Sequence, residues 1–237
     1  VFGCADLLSI AVTRGRMMSR MPPGAMTEVA LDEEALRARL PAELHVAGVN
    51  ARGSCVVSGS VEGVEAFEAA LQADGIRATR LATPHAFHSP DVDPLGAELR
   101  EALGRMTLGS PSIPLASCVT GTWHDAESAA APEYWVRQMR QPVRFADALD
   151  AAAALDGAVT LVELGPGRGL SALATAHFGR RGPVDVTPAS AQRGDEHAAL
   201  LRGLGALHAR GVDVAWDALF GEGPGRRVPL PTYPFAR

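Results

Sequence analysis

The sequence predicts an α/β fold in which a small βαββαβ unit is set into a larger domain built around a parallel sheet. Two patterns carry this prediction. Residues 25–82 alternate short β-type runs with amphipathic helical runs in the order strand, helix, strand, strand, helix, strand, the order of ferredoxin-like units. Residues 159–178 read as strand, glycine turn and helix, the repeating step of a parallel α/β sheet. A length of 237 residues and an apolar content of 47% are enough to bury a sizeable core.

Taken in order, Ala5 to Met18 places Leu7, Leu8, Ala11, Val12 and Met18 at helical spacing, and Pro22-Pro23-Gly24 stops that rhythm. The compact unit follows. It comprises a strand from Ala25 to Leu31, a helix from Asp32 to Leu40 with Asp32 as N-cap, and strands from Leu44 to Val49 and Ser54 to Ser58. A helix from Val61 to Asp74, Gly75 as its C-cap and a strand from Arg77 to Ala82 complete it. Beyond it, Pro94 to Met106 reads as a helix, Ile113 to Ser117 as a short buried strand, and Tyr134 to Arg140 and Phe145 to Leu155 as helices. Val159 to Leu164 is a β-type run entering Gly165-Pro166-Gly167-Arg168-Gly169, followed by helices from Leu170 to Phe178 and Glu196 to Arg210. The segment from Gly221 to Arg237, rich in Gly, Pro and Arg, reads as an extended strap.

Composition excludes several function classes. No apolar run approaches the ~20 residues of a membrane helix, so a soluble, cytoplasmic protein is expected. A net charge of −5 with scattered arginines lacks the clustered positive charge of a nucleic-acid footprint. Cys4, Cys55 and Cys118 lie far apart with no metal-ligand spacing, and read as buried thiols of a reducing compartment. Val1-Phe2-Gly3-Cys4 has neither an initiator Met nor a signal layout, so the chain is expected to begin inside a longer one.

His85-Ala86-Phe87-His88-Ser89 draws attention as two imidazoles flanking an aromatic at a change of chain direction. A histidine in such a place serves either packing or chemistry. The Gly165–Gly169 turn resembles a phosphate-binding loop or the first motif of S-adenosylmethionine-dependent methyltransferases. Such motifs open a nucleotide-binding unit, and here too little chain follows for that. No G-x-S-x-G elbow is present: none of Ser54, Ser58, Ser60, Ser117 and Ser171 has glycine both two before and two after it. Arg14 belongs either to a solvated helix face or to a cavity, where its planar fork would bind a carboxylate. Asn50 reads most simply as a turn residue and Gln138 as an exposed helix position.

Seen together, the segments resemble the acyltransferase domain of type I modular polyketide synthases, of the malonyl-CoA:acyl carrier protein transacylase family. The resemblance rests on Thr13-Arg14-Gly15-Arg16-Met17-Met18, on Val49 to Gly59, and on His85-Ala86-Phe87-His88-Ser89. It continues in Val119-Thr120-Gly121, Tyr134 to Gln138, Gln141-Pro142-Val143-Arg144-Phe145, Glu163-Leu164-Gly165-Pro166-Gly167 and Leu230-Pro231-Thr232-Tyr233-Pro234-Phe235. It implies a hydrolase-like α/β core over 1–22 and 83–190 whose N-terminal part is absent, a ferredoxin-like subdomain over 23–82, and a post-acyltransferase linker over 191–237.

The resemblance also implies a ping-pong reaction. A serine takes a malonyl-type group from coenzyme A and passes it to the phosphopantetheine thiol of an acyl carrier protein, beside a ketosynthase and other synthase domains and with no tightly bound cofactor or metal. His88 matches the catalytic base and Arg14 the residue holding the malonyl carboxylate. Asn50 and Gln138 match polar pocket positions, the latter being His in many relatives. Phe87 matches the position associated with malonyl over methylmalonyl choice. Ser89-Pro90-Asp91-Val92 departs from the Leu-Met pair usual at 91 and 92. The serine itself is expected roughly a dozen residues before Val1, which leaves a non-catalytic carrier-docking fragment as the rival reading.

Overall fold

The structure, a computed structural model, describes residues 1–125, 127–165, 167–179, 184–188 and 195–220, with Pro229 and Pro231. It divides into one compact unit of Val1–Leu161 with Gly169–Val186, and a second of Val162–Arg168 with Thr187–Arg237.

The first unit opens with helix α1 (Cys4–Met18), which buries Ile10 and Met17. The βαββαβ order is then realised by β1 (Ala25–Val29), α2 (Glu33–Arg37), β2 (His45–Ala51), β3 (Ser54–Gly59), α3 (Val61–Ala73) and β4 (Ala78–Arg80). The Asp32 carboxylate accepts from the Ala35 amide at 2.8 Å, the expected N-cap of α2. That helix ends at Arg37 rather than Leu40; Pro41 disfavours helical geometry in the residue before it. Helix α3 is capped by Ser60, and Gly75, with φ of 71°, turns the chain out of it.

The four strands lie in the order β4-β1-β3-β2, and β5 (Val143–Arg144) extends the sheet beside β2. All pairs are antiparallel except β2 with β5, whose register sets Gly48 against Val143 and Val49 against Arg144. Every residue of β3 is buried, because both faces of the sheet are covered. Alternation along the strand sends Cys55 and Val57 into a core with Val29, Leu36, Val64 and Leu71, and Val56 to the opposite face with Met26 and Ala47.

A 3-10 helix over Pro90–Leu95 leads into α4 (Gly96–Gly104), followed by α5 (Pro132–Arg140) and α6 (Phe145–Ala153). The helix expected from Pro94 thus begins as a tighter turn, since Pro90 and Pro94 supply no amide to an α-helical ladder. Met17, Val92, Leu99, Leu103 and Met139 join α1, α4 and α5 in a second apolar core. Ile113 to Ser117 is not a buried strand: Ile113 is 75% exposed, and the pairing found there among the described residues is a single bridge from Ala116 to Trp123. Pro114 removes a ladder donor, and the segment forms instead the stalk of a tight loop closed by Gly121, whose φ is 72°.

β6 (Val159–Glu163) and β7 (Val184–Pro188) form a two-stranded sheet, and α7 (Gly169–Phe178) follows the glycine turn. The second unit contributes α8 (Glu196–Ala209), capped by Asp195, and α9 (Trp216–Phe220), which the sequence patterns did not reveal. The strap expected over Gly221 to Arg237, with its Leu230 to Phe235 motif, lies outside the described residues except for Pro229 and Pro231. Of the three thiols only Cys55 is buried; Cys118 is half-buried, and Cys4, which opens α1 ahead of its first buried residue, is exposed. No helix among the described residues is long and apolar enough to cross a membrane.

Candidate active site

The turn at residues 85–89 is pinned on three sides. The Gly24 amide donates to the Pro84 carbonyl at 2.9 Å, and a Cβ at Gly24 would lie 2.6 Å from the Ala86 nitrogen, so only glycine permits this approach. His85 Nδ1 donates to the Pro22 carbonyl at 3.0 Å. Ser89 Oγ donates to the Ala86 carbonyl at 2.7 Å and accepts from the Asp91 amide at 3.2 Å, which caps the 3-10 helix.

This scaffold holds His88 in the left-handed region, at φ of 59°; it is the only non-glycine residue with positive φ among the described residues. Such a conformation costs on the order of 1–3 kcal/mol and persists where surrounding contacts over-determine it. His88 Nδ1 lies 2.8 Å from the Gln141 carbonyl. A carbonyl only accepts, so Nδ1 carries the proton and Nε2 presents a lone pair. Burial pushes the imidazole below its ordinary pKa, and the positive charges of Arg14 and Arg140 push the same way against the opposing pull of the Gln141 carbonyl. A neutral ring with a free Nε2 is the state a general base requires.

Arg14 falls four residues after Ile10 and three before Met17, both buried, so it leans to the inner flank of α1. With Ile10, Ala11, Leu99, Leu103 and Trp135 it lines a cavity of about 120 Å³. Burial lowers its pKa, and no carboxylate pairs with it among the described residues. A half-buried cation without a counter-ion is costly, and an anionic ligand would relieve that cost.

Gln138, expected on an exposed helix face, is half-buried on α5. Its Oε1 is buried with no hydrogen-bond partner among the described residues. Asn50 is not in a turn: it lies within β2 at a register irregularity, and the turn itself is made at Gly53, whose φ is 68°. It makes no hydrogen bond to the other candidate residues. Phe87 is half-buried and packs against both the helical core and the Met26, Ala47 and Val56 group, with its ring 5.8 Å from that of His85. The structure therefore groups His88 and Arg14 electrostatically, with Phe87 next to His88 in sequence, while Asn50 and Gln138 lie on separate elements, β2 and α5.

Two contributors escaped sequence reasoning. Arg140 ends α5, pairs with Asp93 at 3.1 Å and adds to the field on His88. Gln141 acts through its main-chain oxygen, which no side-chain pattern announces. At the Asp91 departure the main-chain amide donates to the Ser89 cap. Among the described residues no group of three or more His, Cys, Asp or Glu side chains is placed to hold a metal ion.

Residues 3–210 match the acyl transferase domain family. The chain belongs to that family. This acyl transferase domain is 39% identical over 241 residues to polyketide synthase GfsA of Streptomyces halstedii, covering 100% of this chain and 3% of that protein. It is 36% identical over 239 residues to phenolphthiocerol synthesis polyketide synthase type I Pks15/1 of Mycobacterium marinum, covering 100% of this chain and 11% of that protein. Among solved structures it resembles the acyltransferase domain from the second module of the salinomycin polyketide synthase. That match has 34% identity and a TM-score of 0.85 over 94% of this chain and 52% of the other. A malonyl CoA-acyl carrier protein transacylase from Clostridium perfringens shares the fold at 21% identity and a TM-score of 0.76, over 87% of this chain and 65% of that one. The acyl transferase domain thus spans about half of the solved salinomycin domain and a small part of each synthase. Membership of the family sets aside the S-adenosylmethionine reading of the Gly165–Gly169 turn.

Proposed function

We propose that this chain provides the base and the carboxylate-binding side of a malonyl-transferring acyltransferase in a cytoplasmic polyketide synthase. The observation that supports this most is the pairing of a neutral His88, its Nε2 free, with the uncompensated Arg14. The domain division of 1–22 with 83–190, 23–82 and 191–237 belongs to the same proposal. In the proposed reaction, Nε2 of His88 takes the hydroxyl proton of a serine from a G-x-S-x-G segment as the oxygen attacks the thioester carbonyl of malonyl-CoA. The tetrahedral adduct collapses, the carbon–sulfur bond breaks, and the coenzyme A thiolate recovers the proton from His88. The second half runs the same steps in reverse, with the phosphopantetheine thiol of an acyl carrier protein attacking the serine ester. Arg14 holds the distal malonyl carboxylate through two charge-assisted hydrogen bonds, and Asn50 and Gln138 line the pocket.

The test is intact mass after incubation with malonyl-CoA and then with carrier protein. Placed behind a serine-bearing segment, these residues acquire a malonyl group and pass it on, whereas the 237 residues alone stay unmodified. Malonylation of the chain alone would reveal a different nucleophile, and no transfer by the longer protein would favour the carrier-docking reading.

Phe87, packed between the two cores, narrows the pocket where an α-methyl group would sit. Excluding one methyl with an apolar wall is worth about 1–3 kcal/mol. Phe87→Ser should therefore raise methylmalonyl use relative to malonyl by about 5- to 150-fold. A competition assay with both thioesters reads that ratio, and an unchanged ratio removes Phe87 from the selection.

A further inference from the structure

We propose that Arg144 is a positioning residue for His88, acting through the main-chain carbonyl of Gln141. The proposal rests on the reading of His88 as the base, and it concerns how that base is held. The carbonyl that orients the imidazole belongs to the residue just past α5, where the chain leaves the helix with ψ of 154° and enters β5 two residues later. Nothing in α5 itself fixes an oxygen that has left the helical ladder. Its position depends on what anchors the next three residues.

Arg144 is that anchor. Its amide donates to the Cys118 carbonyl at 2.8 Å, and its register against Val49 ties it to the central sheet. Its side chain spans three elements: Nη1 donates to Glu33 Oε2 at 2.6 Å, across 111 positions of sequence, and Nε donates to Asp147 Oδ2 at 2.5 Å in the first turn of α6. Glu33 is held in turn by Arg37 through contacts of 2.8 and 3.0 Å. Burial works to raise Glu33, yet the bonds from Arg144 and Arg37 outweigh it and hold the carboxyl below its ordinary range. Asp147 is itself braced: a Cβ at Gly121 would lie 2.2 Å from the Asp147 Cβ, so the Val119-Thr120-Gly121 turn rests directly on it.

The guanidinium fork therefore fixes the Gln141–Arg144 segment against α2 and α6 at once. A planar, two-pronged cation does this fully, where an ammonium, gripping one partner at a time, does so only in part. If the segment drifts, the Nδ1–H of His88 loses its acceptor. The ring is then free to carry its proton on Nε2, where it is useless as a base.

The expected result is read first without substrate, by 15N NMR of the imidazole nitrogens. The wild-type chain shows His88 predominantly protonated at Nδ1. Arg144→Met and Glu33→Ala shift it toward a mixture with a substantial Nε2–H form, and Arg144→Lys recovers part of the wild-type distribution. In the longer, serine-bearing protein the same variants lose transfer rate on the order of 10- to 100-fold at unchanged KM for malonyl-CoA. A folded Arg144→Met chain with the wild-type tautomer overturns the proposal. Should that variant fail to fold, an unchanged tautomer in Glu33→Ala overturns it equally. Because the tautomer is read without turnover, the two readings separate. A tautomer that responds to Arg144 in a protein whose transfer survives loss of His88 keeps the clamp and ends the role of His88 as base.

Discussion

Replacing His88 with Asn in the serine-bearing protein is expected to lower malonyl transfer by about 10²- to 10⁴-fold, the usual contribution of a positioned general base. Asn suits this test because it tolerates the left-handed backbone at φ of 59° and its amide can still donate to the Gln141 carbonyl. The variant removes the proton acceptor with little disturbance of the turn. Melting close to wild type, together with the loss of rate, would assign the effect to chemistry. The pH dependence supplies a second check. Activity needs the neutral ring and is lost as pH falls through its pKa, which burial and the charges of Arg14 and Arg140 hold below the ordinary 6.5. The acid limb of kcat/KM is therefore expected below pH 6.5, and a limb at or above that value would show that the group titrating is not His88 in this environment.

Arg14→Gln is expected to abolish the choice between malonyl and acetyl groups. Two charge-assisted hydrogen bonds to one carboxylate contribute about 3–6 kcal/mol together, so kcat/KM for malonyl-CoA should fall by about 10²- to 10⁴-fold. Acetyl-CoA offers no carboxylate, and its use should hold steady or rise. The substitution also removes a positive charge felt by His88, so the acid limb should move to higher pH. Equal losses for malonyl and acetyl groups would assign Arg14 to folding rather than recognition.

The parts of this site differ in how far side-chain pattern announces them. Arg14 could be oriented from spacing once Ile10 and Met17 were known to be buried. Asp32 was readable as a cap because its role is local, a carboxylate three residues from the amide it serves. Ile113 to Ser117 misled because an apolar run was weighed above the missing amide of Pro114. Gln138 and Asn50 read as solvent-facing and as a turn residue because the burial of a helix face and the extent of a strand are set by tertiary packing, which local pattern does not carry. The proposed role of His88 depends on a main-chain oxygen and on a backbone angle, and the proposed clamp behind it on a pair 111 positions apart. None of these is a property of residue types at short spacing, and resemblance rather than periodicity brought His88 forward.

The contact between Gly24 and Ala86 bears on engineering. Under the proposed function, residues 85–89 form a natural unit to exchange when a different extender is wanted, since they carry both His88 and Phe87. Here the cassette is seated on a residue far upstream, where a Cβ would come within 2.6 Å of the Ala86 nitrogen and 2.8 Å of its Cβ. A graft is portable only between hosts that keep glycine at 24. Into any other host the donor must bring that residue as well, or the transplanted turn will be lifted and His88 displaced from Gln141 whatever the cassette encodes.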